Sequence, residues 1–122
     1  MANNFVQPGD VITWTNATGA AVVSGQVVVV GATLGVALVD IAIGASGSVR
    51  FEGVFSVPKV TTAVIAQGAR LLWDVSAGKF DVATATPATG DVSGESAMAW
   101  EAAGNGATTL KVKFTGVPGT VT

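Results

Sequence analysis

The sequence predicts an all-β fold, a single compact β-barrel or β-sandwich domain over residues 10–122 with an extended N-terminal arm over residues 1–9. Three observations support this. The length of 122 residues is typical of one domain. Short runs rich in Val, Thr and aromatic residues recur and are separated by turns that contain glycine. Residues 1–9 are polar, end in Pro8-Gly9 and have no core of their own.

The predicted strands follow one another with few helix signals between them. The segment Leu34–Ile43 is mostly apolar, which predicts that both of its faces are covered. In the last strand, alternation turns Leu110, Val112 and Phe114 inward and Lys111 and Lys113 outward. The full set of predicted strands is Val11–Thr15, Val22-Val23, Val27–Val30, Leu34–Ile43, Ser48–Val57, Leu71–Val75, Lys79–Val82, Ala97–Ala103 and Ala107–Thr115.

Glycine-containing turns join these strands. Gly78 predicts a tight hairpin after Leu71–Val75, and Asn105-Gly106 predicts another before the last strand. Gly53 interrupts the inward row of Ser48–Val57 and predicts a bulge. Residues 84–95 predict a long surface loop, and residues 60–67 are the one candidate for a short helical turn.

Charged residues are scarce. They make up 11% of the chain, against about 25% in a typical domain, and none lies between Asp10 and Asp40. A domain of this size has too much surface to cover with so few charges, so we expect a surface rich in small polar residues that is partly buried by a partner. The net charge of −2 and the dispersed basic residues argue against binding to nucleic acid.

The side chains needed for catalysis are missing from the sequence. It contains no His, Cys or Tyr, so the groups that usually titrate or attack near neutral pH are absent. No nucleotide-binding loop surrounds Gly78-Lys79. The acidic pairs Asp74 with Asp81 and Asp91 with Glu95 are interpreted as solvated loop charges, too few for calcium. We therefore predict a protein that is not an enzyme, with no cofactor and no metal site.

Two other signals are interpreted as incidental. Residues 20–39 are long and apolar enough to span a membrane, but they are interrupted by Ser24-Gly25-Gln26 and dominated by Val, which favours strands. The first ten residues lack the pattern of a signal peptide. The glycosylation sequon Asn16-Ala17-Thr18 is therefore attributed to chance.

The three tryptophans are the remaining candidates for a functional surface. Trp14, Trp73 and Trp100 each lie in a strand-like segment, which favours a core position for any one of them. Trp is also enriched at the centres of protein interfaces. Taken as a set they predict one interface tryptophan, and Trp14 is our candidate interface aromatic.

Five segments, at residues 4–10, 24–31, 34–37, 52–59 and 67–74, together resemble those of a known family. That family is the tailed-phage capsid decoration (cement) proteins. That family was formerly filed as a domain of unknown function, and some members carry an older label as a predicted RecA-like phage recombinase, whose nucleotide loop this sequence lacks. The resemblance covers nearly the whole chain. It rests most specifically on Phe55-Ser56-Val57-Pro58-Lys59 and Leu72-Trp73-Asp74.

The resemblance implies a homotrimer on the outside of an icosahedral head, where it holds neighbouring major capsid subunits together. The implied partners are the chain itself and the major capsid protein, with no nucleic acid and no membrane. The implied location is the capsid exterior of the virion, after synthesis in the host cytoplasm. The arm is then expected to bind the capsid, with Phe5 and Val6 as apolar anchor. The predicted arm residues are Ala2, Asn3, Asn4, Phe5, Val6, Gln7 and Pro8.

Two other functions fit the sequence. One is a structural module of the phage tail or baseplate, which has the same trimeric β character. The other is a carbohydrate-binding β-sandwich, which requires an exposed row of aromatic side chains. The exposure of the three tryptophans tests the carbohydrate-binding alternative.

Overall fold

A computed structural model describes residues 3–4 and 6–122. That part of the chain contains eleven strands and no helix, which confirms the all-β prediction. Residues 60–67 form turns and an isolated bridge from Ile65 to Ala103, so the predicted helical turn is wrong. The strands are β1 (Val11–Thr15), β2 (Val27–Val30), β3 (Thr33–Ala37), β4 (Ser46–Arg50), β5 (Glu52–Pro58), β6 (Leu71–Asp74), β7 (Lys79–Val82), β8 (Val92–Ser93), β9 (Ala97–Ala99), β10 (Thr109–Thr115) and β11 (Thr120–Val121).

The strands form three sheets in which every ladder is antiparallel. The first sheet has the order β1-β4-β3-β2, the second β5-β10-β9 and the third β11-β8-β6-β7. The β2–β3 hairpin closes through Gly31-Ala32. Gly31 has a φ of 63°, the conformation that a two-residue hairpin turn requires at its first position.

The predicted strand Ser48–Val57 is two strands in two different sheets. β4 ends at Arg50 and β5 begins at Glu52, so the chain leaves the first sheet at Phe51 and enters the second. Gly53 lies opposite Phe114 in an uninterrupted ladder. The interruption predicted at Gly53 therefore occurs two residues earlier, where the sheets change.

All three sheets contribute to one main core. Its centre is a chain of edge-to-face aromatic contacts. The ring centroid of Phe80 lies 4.8 Å from that of Trp73 and 6.1 Å from that of Phe114. The ring centroids of Phe114 and Phe55 lie 5.8 Å apart. These contacts join β6 and β7 of the third sheet to β5 and β10 of the second. The predicted alternation in β10 is confirmed, because Leu110, Val112 and Phe114 are buried and Lys111 and Lys113 are exposed.

Strands β2 and β3 are buried on both faces, as the apolar sequence predicts for β3. Val27 faces the main core, whereas Val28 faces a second hydrophobic cluster on the other side of the first sheet. Val22, Ala37, Ile41 and Val49 complete that second cluster, with Trp14 and Val30 packed against it.

The predicted surface loop at residues 84–95 is partly wrong. It contains β8, and both Asp91 and Val92 are buried. One carboxylate oxygen of Asp91 accepts a hydrogen bond from the backbone N–H of Val75 at 3.1 Å, and the other accepts one from the N–H of Ala88 at 2.9 Å. Asp91 is therefore a structural anchor between two loops rather than a solvated charge.

Lys59 is fully buried, which is unusual for lysine. It follows Pro58, so its side chain leaves the end of β5 and turns into the interior. Its ammonium group donates hydrogen bonds to the carbonyl oxygens of Val60 at 2.7 Å, Ala107 at 3.2 Å and Thr61 at 3.3 Å. Three backbone acceptors thus replace water around the charge.

We predict that Lys59→Met lowers the free energy of unfolding by about 2–3 kcal/mol, because it leaves buried carbonyls without their donor. Urea denaturation followed by intrinsic fluorescence measures the change. Lys113→Met is the matched control and should change stability by less than about 0.5 kcal/mol, since Lys113 is exposed. Equal losses in the two variants would contradict the structural role of Lys59.

The loop of the β6–β7 hairpin is closed by Asp74. Its carboxylate accepts hydrogen bonds from the Ala77 N–H at 3.1 Å, the Ser76 hydroxyl at 2.8 Å and the Ser76 N–H at 3.2 Å. These donors, the Ala77 N–H first, hold the pKa of Asp74 below its ordinary value of 3.8. Because the folded state binds this proton more weakly than the unfolded state, the carboxylate stabilises the fold above pH 3.8. That stabilisation is lost as the pH falls through the lower folded pKa.

We predict that Asp74→Ala destabilises the protein at pH 6 and that the difference from wild type shrinks on acidification below pH 3.8. Urea denaturation of both proteins at a series of pH values measures it. A difference in unfolding free energy that stays constant down to pH 2 would contradict this role of the carboxylate.

Candidate interaction surfaces

The N-terminal arm is exposed wherever the structure describes it. Asn3, Asn4, Gln7 and Pro8 are exposed, and Val6 is 88% exposed, far more than an apolar side chain in a core. The Gln7 side-chain amide donates a hydrogen bond to the carbonyl of Val11 at 3.3 Å. The other two predicted arm residues, Ala2 and Phe5, lie outside the described residues. The extended shape of the arm remains a prediction.

The three tryptophans differ in environment. Trp73 is buried against Phe80, whereas Trp14 is half-buried and packs on the second cluster. Trp100 lies outside β9 and is 45% exposed. The described tryptophans therefore form no exposed aromatic row of the kind that a carbohydrate-binding surface requires.

An apolar groove of about 650 Å³ runs beside β2. One side is formed by β2 and the turn that precedes it, and the other by Pro58, Trp73, Val75 and Gly78. The lining contains no charged side chain. The groove therefore suits an uncharged, apolar occupant.

A second apolar surface lies on the loops that cover the second cluster. We call its four exposed side chains, Val23, Leu38, Val39 and Ile43, the apolar tip. The one carboxylate near it, Asp40, accepts a hydrogen bond from the Ser24 N–H at 2.8 Å. The predicted single strand Leu34–Ile43 is wrong, because β3 ends at Ala37 and the chain bends after it. Part of the apolar surface expected from the sequence lies on this bend.

The described charges are dispersed over the rest of the surface. Arg70 pairs with Glu95 at 2.9 Å and Lys111 with Glu101 at 3.4 Å, both in solvent, where such pairs contribute little. Among residues 3–4 and 6–122 no group of three or more acidic side chains is placed to hold a metal ion. Within the same residues, no helix is long and apolar enough to cross a bilayer.

Comparison with known proteins identifies the class of protein that these surfaces belong to. A search of curated proteins finds no match. A family model described as phage cement protein matches residues 6–114. The name of that family denotes a structural class rather than a class of enzymes. Because the match includes all but the first five and the last eight residues, the chain belongs to the phage cement protein family.

Proposed function

We propose that the protein decorates the outside of a phage head as a homotrimer and stabilises contacts between neighbouring major capsid subunits. The family match over residues 6–114 carries this proposal. The protein is made in the host cytoplasm and acts on the capsid exterior of the virion. Its function is binding, with no catalytic step and no cofactor.

The placement of the buried charges supports a structural role. Lys59 and Asp91 are buried, and their charged atoms are bound to backbone groups. Arg50 pairs with Asp10 at 2.7 Å and fixes the start of β1 to β4. These groups hold the domain together and are not directed at a substrate.

The arm is the proposed capsid-binding element. Val6 presents an apolar side chain to solvent on a segment without charged side chains, which favours a partner that buries it. In the proposed complex Phe5 and Val6 anchor the arm, and Asn3, Asn4 and Gln7 satisfy polar groups at the rim. An arm of this kind binds by adding a strand to an exposed sheet edge of its partner.

We predict that deleting residues 2–7 leaves the oligomeric state unchanged but abolishes binding to heads. Three arms on one trimer bind about 10²–10⁴ times more tightly than a single arm. Deleting the arms removes both the affinity of each arm and this gain from multivalency. Light scattering measures the mass in solution, and cosedimentation with undecorated heads measures binding.

A matched pair of point variants isolates the apolar anchor. Val6→Asp should weaken head binding, whereas Val121→Asp should not, although Val121 is also exposed, at the far end of the chain. Full decoration by the arm-less protein would show that the arm is not the capsid-binding element.

The location of the protein separates a head protein from a tail or baseplate module. Mass spectrometry of separated heads and tails from the same virion preparation should find the chain in the head fraction. Recovery in the tail fraction alone would overturn the proposed function.

A further inference from the structure

The two outer strands of the first sheet differ from the other sheet edges in being both open and uncharged. Proteins usually protect sheet edges with charges, prolines, short strands or covering segments. Here β1 reads Val-Ile-Thr-Trp-Thr and β2 reads Val-Val-Val-Val. Neither contains a charge or a proline. In the described chain each is paired on one side only, β1 with β4 and β2 with β3.

Edges elsewhere in the fold carry the usual protection. β5 contains Glu52 and Pro58, and β7 contains Lys79 and Asp81. β9 is covered by the segment before β6, because the Ala99 N–H donates to Ala69 and the Gly68 N–H donates to Ala99. β11 is two residues long. The unprotected edges therefore occur as a pair, at opposite ends of one sheet.

The free edge of β2 presents unpaired backbone groups. The Ala37 N–H donates to the Gln26 carbonyl at 2.9 Å, and pairing alternates along an antiparallel ladder. Val28 and Val30 therefore bond to β3, while the N–H and C=O of Val27 and Val29 point out of the sheet. In the described chain these outward groups have no hydrogen-bond partner, and Val27 and Val29 both line the apolar groove beside β2. Backbone groups that an occupant of the groove would bury need hydrogen-bond partners, so this edge suits a partner strand.

The free edge of β1 supplies matching groups. Hydrogen bonds from the Phe51 N–H to Asp10 and from the Asn16 N–H to Ala45 place the even-numbered residues of β1 against β4. The N–H and C=O of Thr13 and Thr15 then point out of the sheet, without a partner among the described residues. The Val11 carbonyl already accepts the Gln7 amide, so Thr13 and Thr15 remain for a further strand.

We propose that β1 of one copy of this chain pairs with β2 of the next copy. The proposal rests on the homotrimer of the proposed function and names the contact that builds it. The two edges belong to opposite ends of the sheet, so the contact is head-to-tail, and three such contacts close the proposed trimer into a ring. The sheet has four alternating strands. A rotation about an axis to which the strands are inclined, as in a barrel, keeps the strand directions and brings β1 antiparallel to the β2 of its neighbour.

One register satisfies the outward groups of both strands. It sets Thr13 of one copy opposite Val29 of the next, and Thr15 opposite Val27, which makes four backbone hydrogen bonds. The same register places Trp14 beside Val28 and Ile12 beside Val30. Trp14, Val28 and Val30 all belong to the side of the sheet that holds the second cluster. The contact therefore continues that apolar layer from one copy into the next.

A disulfide tests this register directly, because the natural chain contains no cysteine. Ile12 and Val30 lie at opposite edges of one sheet, separated sideways by about 14 Å over three strand spacings and further by their offset along the strands. A disulfide needs Cα atoms about 4.4–6.8 Å apart, so it forms only between copies. The variant Ile12→Cys/Val30→Cys should give a covalent trimer on a non-reducing gel, and Ile12→Cys/Val121→Cys should not.

An edge-blocking variant provides a second, independent test. Thr13→Pro removes the outward N–H of β1 and leaves the bonds from β1 to β4 in place, as edge strands tolerate. It should weaken trimer assembly by at least 10-fold in light scattering, whereas Thr13→Val, which keeps the N–H, should remain trimeric.

The outcomes separate this contact from the proposed function. If the wild-type protein is a trimer that binds heads, but Ile12→Cys/Val30→Cys forms no cross-link and Thr13→Pro stays trimeric, the edge pairing alone is overturned. A wild-type monomer overturns the pairing and the homotrimer together. Covalent chains longer than three overturn the closed ring. A covalent trimer of Ile12→Cys/Val30→Cys, together with loss of the trimer in Thr13→Pro, supports the proposal.

Discussion

Burial of both faces of β2 and β3 is the constraint on which the rest of the architecture depends. A strand with only one buried face alternates apolar with polar residues, but β2 has Val at all four positions because Val27 and Val28 face different hydrophobic clusters. Two layers must then cover the sheet. The main core supplies one and the loops around Val22 and Ile41 supply the other. The absence of charge from β2 and β3 follows from this arrangement.

The same constraint explains why the remaining charges lie where they do. Although charged residues are few, several of them hold parts of the chain together instead of lying in solvent. Lys59 binds three carbonyls at the end of β5, and Asp91 joins two loops of the third sheet. A buried charge of this kind is tolerated because its hydrogen bonds replace those of water. The surface of the first sheet is left nearly neutral as a result.

Features that depend on neighbouring residues could be predicted from the sequence, whereas features that depend on contacts between distant residues could not. The β6–β7 hairpin and the alternation of β10 depend on neighbouring residues, so the sequence indicates them directly. The change of sheet at Phe51 and the burial of Asp91 depend on partners far along the chain, which periodicity does not show. Among the interaction surfaces, the arm is visible as a polar segment before the first strand. The open edges of β1 and β2 are not, because strand order is needed to know which strands lie outside.

In the proposed assembly the N-terminal arm binds the capsid and the free edge of β1 binds the neighbouring copy. Val6 and the other exposed arm residues are attached to β1 through a short turn at Gly9 and Asp10, so the proposed strand contact made by β1 would place each arm beside the neighbouring copy. Both surfaces consist of backbone groups and uncharged side chains. Contacts of that kind are little affected by salt, because ionic screening acts on charges. The two proposed contacts should therefore hold across a wide range of ionic strength.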